Sequence, residues 1–164
     1  MDYLIDYEAR RIVMGAPGTL PSTHGGHRTA LSWAEGLPAV TAEIRAEGEE
    51  LFPARVVLDS GTDHVTLFGR AAERMLAGDQ ARTVRVDSGF GTRDVPTAMI
   101  SINIGGRRRS AVAALMRDVT DRQEDGLVPT SFFRSVLVRG AEGMVVFDAP
   151  ASNRSRVRLS YAPC

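Results

Sequence analysis

The chain has 164 residues, enough for one domain with a proper core plus some additional segments. Hydrophobic residues make up 43% and charged ones 24%, the balance of an ordinary soluble globular protein, and the formal net charge is zero. All the basic residues are Arg, but they alternate with acids and form no block of the kind that binds nucleic acid. The only Cys is Cys164, which excludes a disulfide framework and a cysteine metal site, and no apolar run is long enough to span a membrane.

In chain order, short alternating or β-branched runs punctuated by Gly, Pro and Asp predict an all-β domain, a sandwich or barrel built from hairpins. They begin with "YLIDY" and "RRIVMG" in residues 1–17, which read as one hairpin. Residues 18–36 are rich in Gly, Pro, Ser and Thr and are expected to be a linker or long loop, with Trp33 anchoring it. The main domain is expected over 37–150, with strands at "AVTAEIRA", "FPARVVLD", "HVTLF", "RTVRVD", "TAMISINIGG", "RRSAVAALM", "SVLVRG" and "GMVVFD". One main helix is predicted at "GRAAERMLAG" (69–78), since Ala71, Ala72, Met75 and Leu76 share a face and Gly78 suits a C-cap. A helical turn is predicted at "PTSFFRS" (129–135), and 151–164 reads as a polar tail.

The chain contains an internal similarity. "DYLIDYEARRIVMGAP" (2–17) aligns without gaps onto "SVLVRGAEGMVVFDAP" (135–150), with Leu4 on Leu137, Ile5 on Val138, Ile12 on Val145 and Val13 on Val146. Each copy reads as apolar strand, turn, apolar strand. Two reasons for this stand open: the generic likeness of β-hairpins, or descent of 1–17 from the closing hairpin of a preceding copy of the same domain. The first residues lack the apolar stretch of a signal peptide, so localisation is undetermined. An extracytoplasmic location stays open if the chain is a piece of a longer one.

The stretch "RVVLDSGT" (55–62) carries the chemistry. An apolar strand here ends in a carboxylate with no cation beside it, and a buried unpaired carboxylate is costly. Gly61 permits a tight turn, while Ser60 and Thr62 supply hydroxyls for local backbone bonds. Taken alone, the tetrapeptide is as readily an ordinary turn. In context, "LFPARVVLDSGTDHVTLF" (51–68) resembles the active-site stretch of retropepsin-like and pepsin-like aspartic proteases: apolar strand, Asp-Thr/Ser-Gly-Ala/Thr/Ser, apolar strand. "LPAVTAEI" resembles the family's entry strand, "VTLFGRAAERM" its following strand and helix, and "EDGLVPTSFFRSVLVRGAEGMVVFD" its late crossing element and closing hairpin. The late element departs from the pattern in having Pro129 where Gly is usual.

That resemblance implies an aspartic-protease-like lobe and an aspartic endopeptidase acting on polypeptides, with no metal or organic cofactor. Asp59 is then the catalytic acid, Ser60, Gly61 and Thr62 support its loop, and Gly126 marks the crossing element. "RVDSGFGTRDV" reads as a Gly-rich hairpin tip, so Gly89, Phe90 and Gly91 become candidates for a flap over substrate. The family's chemistry needs two carboxylates sharing one proton. A single catalytic tetrapeptide is present, because the second Asp-Ser-Gly (87–89) follows too closely and continues with Phe90. The resemblance therefore implies either a homodimer, with two copies of Asp59 meeting, or pairing with an upstream lobe. The other reading of the same fold is a non-catalytic peptide-binding or dimerisation module; a third is a plain β scaffold in which Asp59 caps a turn. His24 and His27 ("HGGH") read as solvated loop residues rather than metal ligands. Ser60 with His64 lacks the elbow of a serine hydrolase, and "GGRRRS" (105–110) reads as a cationic hairpin tip.

Overall fold

The computed structural model describes residues 1–20, 25–46, 50–75, 83–88 and 91–148. It is mostly β, in two sheets. The strands are β1 (Asp2–Asp6), β2 (Arg11–Gly15), β3 (His27–Ala30), β4 (Ser32–Ala34), β5 (Leu37–Ala46), β6 (Phe52–Asp59) and β7 (Val65–Phe68), then β8 (Thr83–Ser88), β9 (Gly91–Ile104), β10 (Arg107–Met116), β11 (Gly126–Pro129), β12 (Ser135–Arg139) and β13 (Met144–Phe147). Among the described residues the one α-helix, α1 (Gly69–Arg74), follows β7, and a 3₁₀ turn covers Thr130–Phe132.

The larger sheet runs β4-β5-β6-β11-β7-β10-β9-β8. A further antiparallel pairing, Glu43 with Asn103 through Ala46 with Ile100, joins β5 to β9 and curls six strands into a barrel. The barrel is filled by alternating residues: Val40, Ala42 and Ile44 from β5, Ala54, Val56 and Leu58 from β6, and Ile100, Ile102 and Ile104 from β9. This is the period-2 pattern at work, every second side chain pointing inward. β7 has both faces covered, and all four of its residues are buried.

The predicted strands are present, and two more lie where a linker was expected. Residues 27–34 supply β3, paired with β13, and β4, paired with β5. Composition missed them because they are short edge strands whose hydrogen bonds are made by backbone, which Gly- and Thr-rich sequence does not forbid. Trp33 does not bury itself as an anchor: it is 47% exposed, and its carbonyl accepts a bond from the Arg55 guanidinium at 2.6 Å. The helix buries Ala71, Ala72 and Met75 as its pattern requires. Leu76, Gly78 and the 151–164 tail lie outside the described residues.

The smaller sheet runs β2-β1-β12-β13-β3, so the N-terminal hairpin is docked against the last one. β1 and β12 are antiparallel, with Asp2 opposite Arg139, Leu4 opposite Leu137 and Asp6 opposite Ser135. Leu4 thus pairs with its own counterpart in the internal similarity, which places a local two-fold axis between the hairpins. The turns agree with that symmetry: Arg10 and Gly143, which correspond, both have positive φ, 51° and 61°. Buried Asp2 ties the hairpins together, accepting bonds from the backbone N–H groups of Gly18 (2.8 Å) and Gly140 (3.1 Å).

Candidate active site

The segment around Asp59 is shaped by a strand threaded through a loop. β6 and β7 are joined by only five residues, yet they are not neighbours, because β11 lies between them. β11 runs parallel to β6, with Gly126 beside Val56 and Pro129 beside Asp59, and antiparallel to β7. The connection Ser60–His64 must therefore cross the end of β11, which holds Asp59 at the rim rather than in the core.

Gly126 makes the threading feasible. A Cβ there would come within 2.2 Å of the Thr66 carbonyl oxygen and 3.1 Å of Leu67 Cδ2, so only glycine lets β11 approach β7 so closely. Asp125 fastens the entry to the crossing. Its carboxylate accepts the Arg55 N–H at 2.7 Å, its own N–H donates to the Arg55 carbonyl at 2.7 Å, and its carbonyl accepts the Phe68 N–H at 2.8 Å. The sequence showed Asp125 as part of a pattern but gave it no role; its signal was an acid directly before a strand-opening glycine. Pro129 ends the crossing: it is the last residue of β11, beside Asp59, and β7 pairs only with Gly126 and Leu127.

At the rim, Asp59 is half-buried, and Ser60, Gly61, Asp63 and His64 are exposed. Asp59 Oδ1 accepts the Gly61 N–H at 2.8 Å, and a Cβ on Gly61 would lie 3.3 Å from the same oxygen. The Thr62 hydroxyl donates to the His64 carbonyl at 3.0 Å, so within this chain it braces its own turn and does not touch Asp59. Among the described residues Asp59 belongs to no ion pair. Its carboxylate is thus oriented by one backbone donor, and the loop around it is exposed.

The β8–β9 hairpin forms as expected, with Asp87 opposite Thr92 and Ser88 opposite Gly91. Gly89 and Phe90 lie outside the described residues; Gly91 opens β9. Within "GGRRRS" the tight hairpin turn is Gly105 and Gly106, at φ 57° and 85°, and the three arginines lie in β10. His24 lies outside the described residues and His27 opens β3. Among the described residues no cluster of ligating side chains would hold a metal ion, and no helix is long and apolar enough to cross a membrane. A cavity of about 410 Å³ does exist between α1, β9 and β10, lined by Glu73, Arg93, Asp118 and their neighbours, but no residue of the Asp59 loop borders it.

No family model and no curated protein matches the sequence. Among solved structures the chain is similar to the solution structure of the simian foamy virus (mac) protease, a retropepsin-like aspartic protease. The likeness has 17% identity, a TM-score of 0.39, and covers 57% of this chain and 88% of that one. A likeness of that size assigns neither a residue nor an activity to this chain.

Proposed function

We propose that this chain is the Asp59-bearing lobe of an aspartic endopeptidase. The observation that carries the reading is the placement of Asp59. A buried strand delivers it to an exposed rim, a backbone N–H orients it, a strand crosses beneath it, and among the described residues no cation pairs with it.

Hydrolysis follows from two such carboxylates held together. Like charges at about 3 Å cannot both ionise, so the pair holds one proton. The ionised member takes a proton from a water lying between them, and the water oxygen attacks the scissile carbonyl carbon. The protonated member hydrogen-bonds the carbonyl oxygen as charge develops there. Return of a proton to the amide nitrogen then releases the two peptide fragments. Here Asp59 supplies one carboxylate, and Gly61 fixes which of its oxygens is free. In the assembled site the Ser60 hydroxyl braces the loop against its counterpart, Thr62 stiffens the turn through its bond to the His64 carbonyl, and Gly89, Phe90 and Gly91 are the candidates for a flap over the peptide. The second carboxylate comes from a second copy of the chain or from an upstream lobe, and no cofactor takes part.

The test is cleavage of an unfolded polypeptide between acidic and neutral pH, by the chain at high concentration and by any longer product of its reading frame. Asp59→Asn lowers kcat by at least about 10³-fold, the scale of a lost general acid–base group. The second reading, a non-catalytic peptide-binding or dimerisation module, is favoured by the presence of a single catalytic tetrapeptide in the sequence. It is the outcome if peptides bind but neither preparation cleaves them.

A further inference from the structure

We infer that the second lobe at this site is a preceding domain of the same fold, to which residues 1–17 belong as its own closing hairpin, and not a second copy of this chain. The inference rests on the proposed half-site and decides where its other half comes from.

The carrying observation is a mismatch in burial between the two symmetric hairpins. Val145 and Phe147, on one face of β13, are completely buried against the barrel core, and Phe147 stacks on Phe133. Their counterparts in β2 are Ile12 and Met14, equally apolar but 68% and 61% exposed. The opposite face of both hairpins is accounted for within the chain, where Leu4, Val13, Leu137 and Val146 pack with Leu20. β2 thus presents the side chains that close a barrel, with no barrel beneath them. Among the described residues it also has no neighbour on its outer edge, whereas β13 has β3.

The occupant follows from what those side chains fit. In β13 their counterparts plug the open end of a barrel like the one built by β5–β11. A complete second copy offers no such opening, because its own Val145 and Phe147 fill it. Only a lobe lacking its closing hairpin can receive Ile12 and Met14, and the local two-fold that pairs Leu4 with Leu137 presents them to one. That arrangement also blocks the homodimer on this sheet, since the β12 edge is already taken by β1.

Single thiols at the two positions test this, in a Cys164→Ser background, with a charged maleimide. In the 164-residue chain Ile12→Cys and Met14→Cys label at the rate of an exposed thiol. In the longer product of the reading frame they label at least about 100-fold more slowly, at the rate set by local opening. Val145→Cys, if it folds, is slow in both. Peroxide oxidation of native Met14, with 2%-exposed Met75 as the internal standard, gives the same comparison without substitution. Equal reactivity of both positions in the longer protein overturns the inference, as does a reading frame with no preceding lobe carrying its own Asp-Thr/Ser-Gly loop. Cleavage activity with Ile12 and Met14 still reactive would leave the protease reading standing on a homodimer. Protection without cleavage would keep the preceding lobe and remove the protease.

Discussion

Replacing Gly126 by alanine tests the threaded crossing that places Asp59. The new methyl would lie 2.2 Å from the Thr66 carbonyl oxygen, about 1 Å inside ordinary contact. The obstacle is backbone, and Thr66 cannot give way easily, since β7 is paired with β10 on one side and β11 on the other. Overpacking a core with yielding side chains costs about 1–3 kcal/mol, so a clash with a doubly paired strand belongs at or above the top of that range, about 3–4 kcal/mol. At this chain length that corresponds to a fall in Tm of roughly 10 °C. Gly143→Ala is the control: nothing lies within 4 Å of its Cβ, so only the positive φ is charged, about 1 kcal/mol. Urea denaturation followed by far-UV circular dichroism measures both. If Gly126→Ala proves no more costly than Gly143→Ala, β11 is not wedged against β7 and the account of how Asp59 reaches the rim is wrong.

Arg122→Ala should destabilise by about 1–3 kcal/mol. It strips the ion-pair partner from the Glu124 side chain, which is 2% exposed and bonded to Arg122 at 2.7 Å, while the 41% exposure of Arg122 tempers the cost of breaking a buried pair. A urea midpoint unchanged from wild type would contradict this, and Arg122→Ala with Glu124→Leu should recover most of the loss. The Asp118 carboxyl is held below the usual carboxylate range, chiefly by its hydrogen bond from Arg93. Its contribution is therefore present above the unfolded value of 3.8 and is lost as pH falls through the lower folded value. Carboxyl NMR should show its titration moving upward in Arg93→Gln; no movement would mean the pair does not persist in solution.

How much of this was legible in the sequence depends on which interactions write themselves into side chains. The strands β5, β6, β9 and β10 declared themselves because a barrel wall has one dry face, so alternation survives in "AVTAEIRA" and "TAMISINIGG". β3 and β4 did not, since their pairing is made by backbone groups that any residue carries. The Asp59 turn is visible as acid, hydroxyl and glycine after an apolar run, and the Thr62 hydroxyl, expected to bond local backbone, does bond the His64 carbonyl. The reason Gly126 must be glycine was invisible, because its obstacle, the Thr66 carbonyl, lies 60 residues away in the chain and is met only once β11 threads between β6 and β7. The repeated hairpin was readable as sequence. What it does not carry is the register that sets Leu4 opposite Leu137, or the exposure of Ile12 and Met14, since both arise only once β1 pairs with β12.

The central claim is that Asp59 shares its work with one further carboxylate across a cleft. Calorimetric titration with a pepstatin-like peptide, whose hydroxyl takes the place of the attacked water, tests it most directly. The account predicts one inhibitor bound per pair of carboxylate-bearing lobes, with affinity lost in Asp59→Asn. Inhibitor binding that is indifferent to Asp59→Asn, or no binding by any form that retains Asp59, would contradict it.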